Sequence, residues 1–299
     1  MGEITKIAWT DSSWNGWIGC TKVGPGCDAC YAEALDARHK WGGSTHWGPG
    51  VPRYHTSKAN WAKPRKWNKD AIASGKRHLV FCSSLADVFD NEIPDEWRAE
   101  LFALIRGTPA LTWQLLTKRI GNAERMLPPD WGKGYPNVWL IPTIVNAEEA
   151  ARDLPKLFEI PAAVYGVSYE PALGPVDWAP WLCPWSHSEN RYGRRISWLI
   201  IGGESRQRGH DPRVFELDWA LNGIAQCRQY GAAPFMKQTG ARVRVHRRYC
   251  LPFAMHGSWR AEATGSEYGI ARPADSAGAD PDEWPTEIRV REFPDTVAA

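Results

Sequence analysis

The sequence predicts an α/β fold built on a parallel sheet covered by helices, and three observations carry that expectation. Six short, nearly unbroken apolar segments recur along the chain, and stretches that read as helices stand between them. A strand buried on both faces reads as a continuous apolar run, and strand–helix alternation favours parallel order. Nearly every apolar segment also runs into polar residues at its carboxyl side, where strand-to-helix loops and helix N-termini converge in parallel α/β barrels.

The predicted strands are 78–82, 111–116, 138–144, 163–167, 198–201 and 234–236. A helix is predicted over 95–106, where an acidic first turn precedes Trp97, Leu101, Leu104 and Ile105 on one face, and another over 147–158. The polar strand ends are Ser83-Ser84 with Asp87, Thr117-Lys118-Arg119, Thr143 with Asn146, Ser168 with Glu170, Gly202-Gly203-Glu204, and Lys237-Gln238. One polar strand end is an ordinary cap, but six in succession favour a shared polar mouth. Two stretches resist the pattern, 41–77 and 177–195, both rich in Trp and basic residues, and they are read as insertions. The expected organisation is a barrel over 1–256 and a C-terminal extension over 257–299, in which 286–293 resembles a short terminal strand.

Hydrophobic residues at 43% and charged residues at 23% describe a globular chain and set aside disorder, collagen and coiled coil. No apolar run approaches the roughly 18 residues that span a bilayer, and the first six residues lack the order of a signal peptide. A cytoplasmic protein without a membrane partner is expected. The seven cysteines are odd in number, and four of them (Cys82, Cys183, Cys227, Cys250) are scattered, which points to a reducing compartment. With 36 basic against 34 acidic residues there is no global drive towards nucleic acid, so any such binding must come from local patches such as 206–210 and 242–248. The eighteen tryptophans serve packing first, although an indole near a substrate mouth also stacks on a planar base.

The most informative segment holds Cys20, Cys27 and Cys30 within eleven residues, with a Gly24-Pro25-Gly26 turn between the first two. Glycine supplies positive φ for a loop that wraps its sulfurs towards one point. Three thiolates suit an iron–sulfur cluster with one free corner, since such clusters normally take four sulfurs. A distant cysteine, His39 or His46 would instead complete a zinc site or an electron-transfer cluster.

The cysteine trio, the strand–helix alternation and the polar strand ends together resemble the radical S-adenosylmethionine (SAM) superfamily with its incomplete parallel β/α barrel. The segment 7–33 around the cysteines, Leu116-Thr117-Lys118-Arg119, Ser168-Tyr169-Glu170-Pro171 and Ile201-Gly202-Gly203-Glu204-Ser205 are similar to a family of phage-encoded three-cysteine proteins linked to DNA hypermodification. The trio departs from the commonest superfamily spacing, C-x3-C-x2-C, by having six residues in its first gap, and Ala29 stands where many members carry an aromatic, with Tyr31 following the last cysteine.

The resemblance implies a 4Fe-4S cluster on Cys20, Cys27 and Cys30 that cleaves SAM. It implies SAM contacts from Ser83, Ser84 and Asp87 to the methionine amino group, and from Thr143 and Asn146 to the ribose. Ser168 and Glu170 would lie near the methionyl or adenosyl portion, with Tyr31 and Lys118 as further cofactor contacts. Gly202 and Gly203 bind cofactor through backbone amides, hold substrate, or simply turn the chain. Glu170, Glu204 and Lys237 are the catalytic candidates for moving a proton. The implied substrate is a modified base in phage DNA, with an isomerisation of an N-linked glycyl group on the thymine methyl to a C-linked one, in the host cytoplasm and with flavodoxin or ferredoxin as electron donor. A radical enzyme acting on a small metabolite or peptide, a zinc-containing nucleic-acid-binding module, and a non-enzymatic SAM-binding role are the alternatives.

Overall fold

A computed structural model describes residues 5–183, 193–207, 209–255, 258–263 and 266–295. Seven parallel strands form the main sheet: β1 (Ser12–Trp14), β2 (His78–Cys82), β3 (Leu111–Thr117), β4 (Val138–Pro142), β5 (Val164–Tyr169), β6 (Trp198–Gly202) and β7 (Ala233–Gln238). Their order in the sheet is their order in the chain. Doubly wound sheets reverse direction at a switch point, whereas β/α barrels proceed strand by strand, so the topology is that of an incomplete parallel β/α barrel. Six of these strands match predicted segments. β1 was not anticipated, because three residues reading Ser-Ser-Trp carry no apolar run, and its Ser12 pairs with Val80 inside the sheet.

The helices are α1 (Tyr31–His39), α2 (Lys58–Ser74), α3 (Asp95–Arg106), α4 (Ile120–Met126), α5 (Ala147–Glu159), α6 (Ala179–Leu182), α7 (Leu217–Tyr230) and α8 (Leu251–Met255). The stretch 41–77 read as an insertion contains α2, which belongs to the connection from β1 to β2. Ser57 starts it by accepting a hydrogen bond from the Asn60 amide at 3.3 Å, and Gly75, at φ 65°, ends it in the left-handed conformation. Trp61 on α2 meets Trp14 edge-on at 4.9 Å, and Trp14 meets Trp113 of β3 at 5.5 Å. Trp9, Trp14, Trp17, Trp113, Trp178, Trp198 and Trp284 are all essentially inaccessible, so these indoles are core. The second expected insertion begins with α6, and its residues 184–192 lie outside the described ones.

The chain divides into two compact units. The first comprises Met1–Pro142 and Lys156–Tyr165, the second Thr143–Pro155 and Gly166–Ala299. No boundary falls at residue 256. Instead β8 (Val243–His246) pairs antiparallel with β10 (Tyr268–Ala271), which pairs antiparallel with β9 (Trp259–Ala261), so the expected extension is woven into a small sheet with the preceding residues. The predicted terminal strand at 286–293 is a 3₁₀ turn (Thr286–Ile288) followed by an isolated antiparallel bridge, Phe235↔Arg291, on β7. Pro281 and Pro285 each open a 3₁₀ turn here, since their fixed φ suits a turn and they have no N–H to give a ladder.

Candidate functional site

The first unit carries the cysteine loop. Its wrap is not made by the Gly-Pro-Gly turn as expected: Gly24 is extended, and Pro25–Cys27 is a 3₁₀ turn closed by the Cys27 amide on the Gly24 carbonyl at 2.9 Å. The positive φ belongs to Gly19, at 117°, where a Cβ would stand 2.4 Å from the His46 carbonyl oxygen. Glycine is required there because two segments approach backbone to backbone. The Cys20 carbonyl then accepts from the Gly48 amide at 3.0 Å, tying the loop to the segment that follows α1.

Buried charge fixes that arrangement. Arg53 donates to Asp90 Oδ2 at 2.9 Å, to Thr21 Oγ1 at 2.7 Å, and to the carbonyls of His46, Gly48 and Val51. Asp36 receives the His46 amide and faces His46 Nδ1 at 2.9 Å. Beside the cysteines, Arg119 donates to Cys20 Sγ at 3.2 Å and to the Thr21 carbonyl. Burial, with the Asp87 charge, pushes the Cys20 thiol up to about 12, and Arg119 opposes that rise. Burial also raises the Cys30 thiol, against the α1 amides of Glu33 and Ala32 and the charge of Lys118.

Cys20, Cys27 and Cys30 are all free thiols, and Cys27 is buried. The expected convergence of the three sulfurs is not present: among the described residues no three His, Cys, Asp or Glu side chains surround a metal-sized point. Neither histidine stands in such a group: His46 faces Asp36, and the His39 ring packs tilted against Trp41 at 5.0 Å. The donor set itself suits a thiolate-held cluster. Three thiols outside any disulfide share one loop, and Arg119 at Cys20 and the Lys118 charge at Cys30 each favour the thiolate form that such ligation needs, against burial.

The neighbouring strand-end residues are tied into this loop. Tyr31 donates to the Ser84 carbonyl at 2.8 Å, and Ser84 Oγ accepts from Asn15 Nδ2 at 2.9 Å. Ser83 is buried, and its peptide with Cys82 is cis, as is Glu170–Pro171. Asp87, expected at an amino group, has both oxygens engaged: Oδ1 accepts from Thr117 Oγ1 at 2.8 Å and the Phe89 amide at 3.0 Å, Oδ2 from the Lys118 amide at 2.9 Å and from Arg119 at 3.4 Å. It therefore positions Arg119 next to Cys20. Asn15, Asp36 and Arg53 were not anticipated as organisers, because their partners lie 10 to 70 residues away in sequence.

The second unit holds the other strand-end candidates. Glu170, at the end of β5, has Oε1 2.8 Å from Lys237 Nζ, near the end of β7, while Ser168 Oγ donates to Oε2 at 3.3 Å. A Cβ on Gly202 would lie 2.5 Å from Glu170 Oε1, so the β6 glycine is what lets the carboxylate settle over the strand. Thr143 and Ser168 are buried and bridge to each other. Asn146 caps α5 by accepting from the Glu149 amide at 2.9 Å, while Glu149 accepts from the Val145 amide at 3.1 Å, a reciprocal cap whose signal, Asn-x-x-Glu, is in the sequence.

The Gly203 amide donates to the Gln238 carbonyl at 3.1 Å, and a Cβ there would stand 2.3 Å from the Thr239 carbonyl oxygen, so this glycine serves a close backbone approach. Glu204 is enclosed by Arg213, with Nη2 at 2.5 Å, and by His210 Nε2 at 3.1 Å. Burial favours its neutral form, yet the Arg213 hydrogen bonds and charge hold its carboxyl below the usual carboxylate range. Such a group is a fixed anion that braces the turn. In the Glu170–Lys237 pair, two of the three proton-moving candidates meet. Cys82 and Cys227 are buried core residues.

A family model described as "Protein of unknown function (DUF5131)" matches residues 4–270. No curated protein matches the sequence. Among solved structures, the chain is similar to a mutant spore photoproduct lyase with bound AdoMet and dinucleoside spore photoproduct, at 9% identity and a TM-score of 0.39, over 89% of this chain and 69% of that one.

Proposed function

We propose that this chain, which belongs to the family described as Protein of unknown function (DUF5131), is a radical SAM enzyme. The observation that carries the reading is the cysteine loop: three free thiols, Arg119 donating to Cys20 at 3.2 Å, Lys118 acting on Cys30, and both nearby histidines engaged elsewhere. Cys20, Cys27 and Cys30 would hold a 4Fe-4S cluster. When bound, cluster and SAM supply a 5′-deoxyadenosyl radical that abstracts a hydrogen atom from substrate.

The chain's own residues position and shield. Asp87 holds Arg119, and Arg119 holds Cys20 and Thr21, so the loop keeps its shape without solvent between the charges. Tyr31 and Ser84 join the loop to the end of β2, with Ser83 buried beside it. In the second unit Thr143, Asn146, Ser168, Gly202 and Gly203 stay proposed cofactor residues, the last three through the strand ends they form. Glu170 and Lys237 are the proposed proton-moving pair, 2.8 Å apart, and Glu204 is assigned a bracing role. A cytoplasmic location is proposed; among the described residues no helix is long and apolar enough to cross a membrane.

The proposed substrate is a modified base in phage DNA, and the proposed reaction converts an N-linked glycyl group on the thymine methyl to a C-linked one, with flavodoxin or ferredoxin delivering the electron. The test is to incubate reduced, cluster-loaded enzyme and SAM with hypermodified phage DNA and compare the digested nucleosides. An isomerisation shifts one nucleoside in chromatography at unchanged mass. Unaltered retention of every nucleoside, with 5′-deoxyadenosine still formed, would remove the DNA substrate and leave the small-metabolite or peptide reading.

A further inference from the structure

The small antiparallel sheet of the second unit presents a face that the proposed chemistry does not use. Its register aligns Arg242 with Arg272 and Ser258 in one row, continuing from Val243↔Ala271↔Trp259, and Arg244 with Ile270 and Arg260 in the next. Residues two apart on a strand share a face. Arg242, Arg244, Arg260 and Arg272 are therefore on one side, while Val243, Val245 and Ala271 are buried on the other.

Two hollows open on this side, one of about 540 Å³ lined by Arg242, Ser258, Arg260, Ile270 and Arg272, the other of about 600 Å³ that includes Arg206, His210, Asp211, Arg272 and Ser276. They share Arg272.

The cations differ in what already holds them. Arg244 is neutralised by Glu216 and Glu262 and lies over the Tyr268 ring at 4.2 Å; Arg242 pairs with Asp211 at 3.2 Å. The side chains of Arg206, Arg260 and Arg272 are exposed and make no hydrogen bond or ion pair with any described residue. The Nε of Arg242 is buried without a hydrogen-bond partner although its residue lines the first hollow. A buried donor left open is costly unless something accepts from it.

We infer that this face binds a phosphodiester backbone, placing a stretch of nucleic acid across the two hollows. Guanidinium forks match phosphate oxygens bidentately, and sheet geometry spaces the arginines by ~5 Å across strands and ~7 Å along them. A lattice of that kind engages several phosphates of one polymer and gives little advantage to a single phosphate. Ile270 is the apolar residue among those lining the first hollow, whereas a protein partner needs an apolar centre to dock on. The inference concerns residues of the second unit alone and needs neither iron nor SAM.

The test uses the full chain, without cluster, and a fluorescein-labelled oligothymidylate followed by anisotropy over a salt series. Binding is expected to weaken with salt, and R260Q/R272Q is expected to lower the slope of log K against log salt by roughly 0.7 for each arginine removed. R260K/R272K keeps the charge and is expected to retain most of the binding, with thermal melting unchanged in both variants. No binding by the native chain, a slope unmoved in R260Q/R272Q, or binding of poly-glutamate in place of the oligonucleotide would overturn the inference. Failure here leaves cluster loading and SAM cleavage untouched, so the two readings fall separately.

Discussion

The cysteine loop and the arginine face of the C-terminal sheet both gather positive charge, yet they treat it in opposite ways. Around the loop, Arg53 and Arg119 are buried and every nearby carboxylate is engaged: Asp90 with Arg53, Asp87 with Arg119. On and beside the sheet, the side chains of Arg260, Arg272 and Arg206 stand open to solvent, with no hydrogen bond or ion pair to any described residue. Charge that is buried and satisfied fixes a shape, because removing one partner strands the other in low dielectric. Charge that is exposed and unsatisfied costs the fold little and is available to a ligand.

The contrast is broken most easily at Arg53. Replacing it by Ala takes from buried Asp90 its closest cation, leaving it Arg119 at 3.8 Å, and removes the guanidinium donor from three carbonyls, and is expected to cost about 3 kcal/mol in denaturant unfolding. Lysine lacks the fork that reaches these partners at once, so Arg53→Lys should recover little. A loss under about 1 kcal/mol would show that the loop is not held by this residue.

A smaller effect is expected at Gly202. A Cβ there meets the mobile end of the Glu170 side chain, Oε1 at 2.5 Å, so Gly202→Ala should displace the carboxylate from Lys237 and cost about 1 kcal/mol or less in stability. Turnover should fall more than substrate affinity if the Glu170–Lys237 pair moves the proton. Equal losses in kcat and in binding would reduce the pair to a packing role. At the far end of the scale, removing the open arginines of the sheet should leave stability within about 0.5 kcal/mol of the native chain, and a larger loss would mean that their openness is only apparent.

What the sequence disclosed follows the same physical line. The buried strands were legible because burial on both faces demands an unbroken apolar run, and β1 was not, because three residues of Ser-Ser-Trp make none. The basic patch at 242–248 alternates Arg and Val over its first residues, and Val243–His246 is a strand with one basic face, a period of two that needs no tertiary information. Strand-end polar residues were harder. Asn146, Asp87 and Glu204 carry the residue types of ligands, and they also serve as a helix cap, an arginine anchor and a turn brace, structural uses that only their partners reveal. Asn15 shows why organisers escape notice: its Oδ1 accepts the Leu85 amide from 70 residues away, a pairing that no local pattern encodes.

The central claim is that Cys20, Cys27 and Cys30 hold an iron–sulfur cluster that cleaves SAM. The direct measurement is anaerobic reconstitution with iron and sulfide, followed by iron content, the absorption spectrum and 5′-deoxyadenosine after chemical reduction, for the native chain and for Cys27→Ala. The native chain is expected to bind iron with a brown chromophore and to release 5′-deoxyadenosine, and Cys27→Ala to lose both while remaining folded. Bound zinc with no chromophore in the native chain, or an intact cluster and undiminished SAM cleavage in Cys27→Ala, would contradict the assignment.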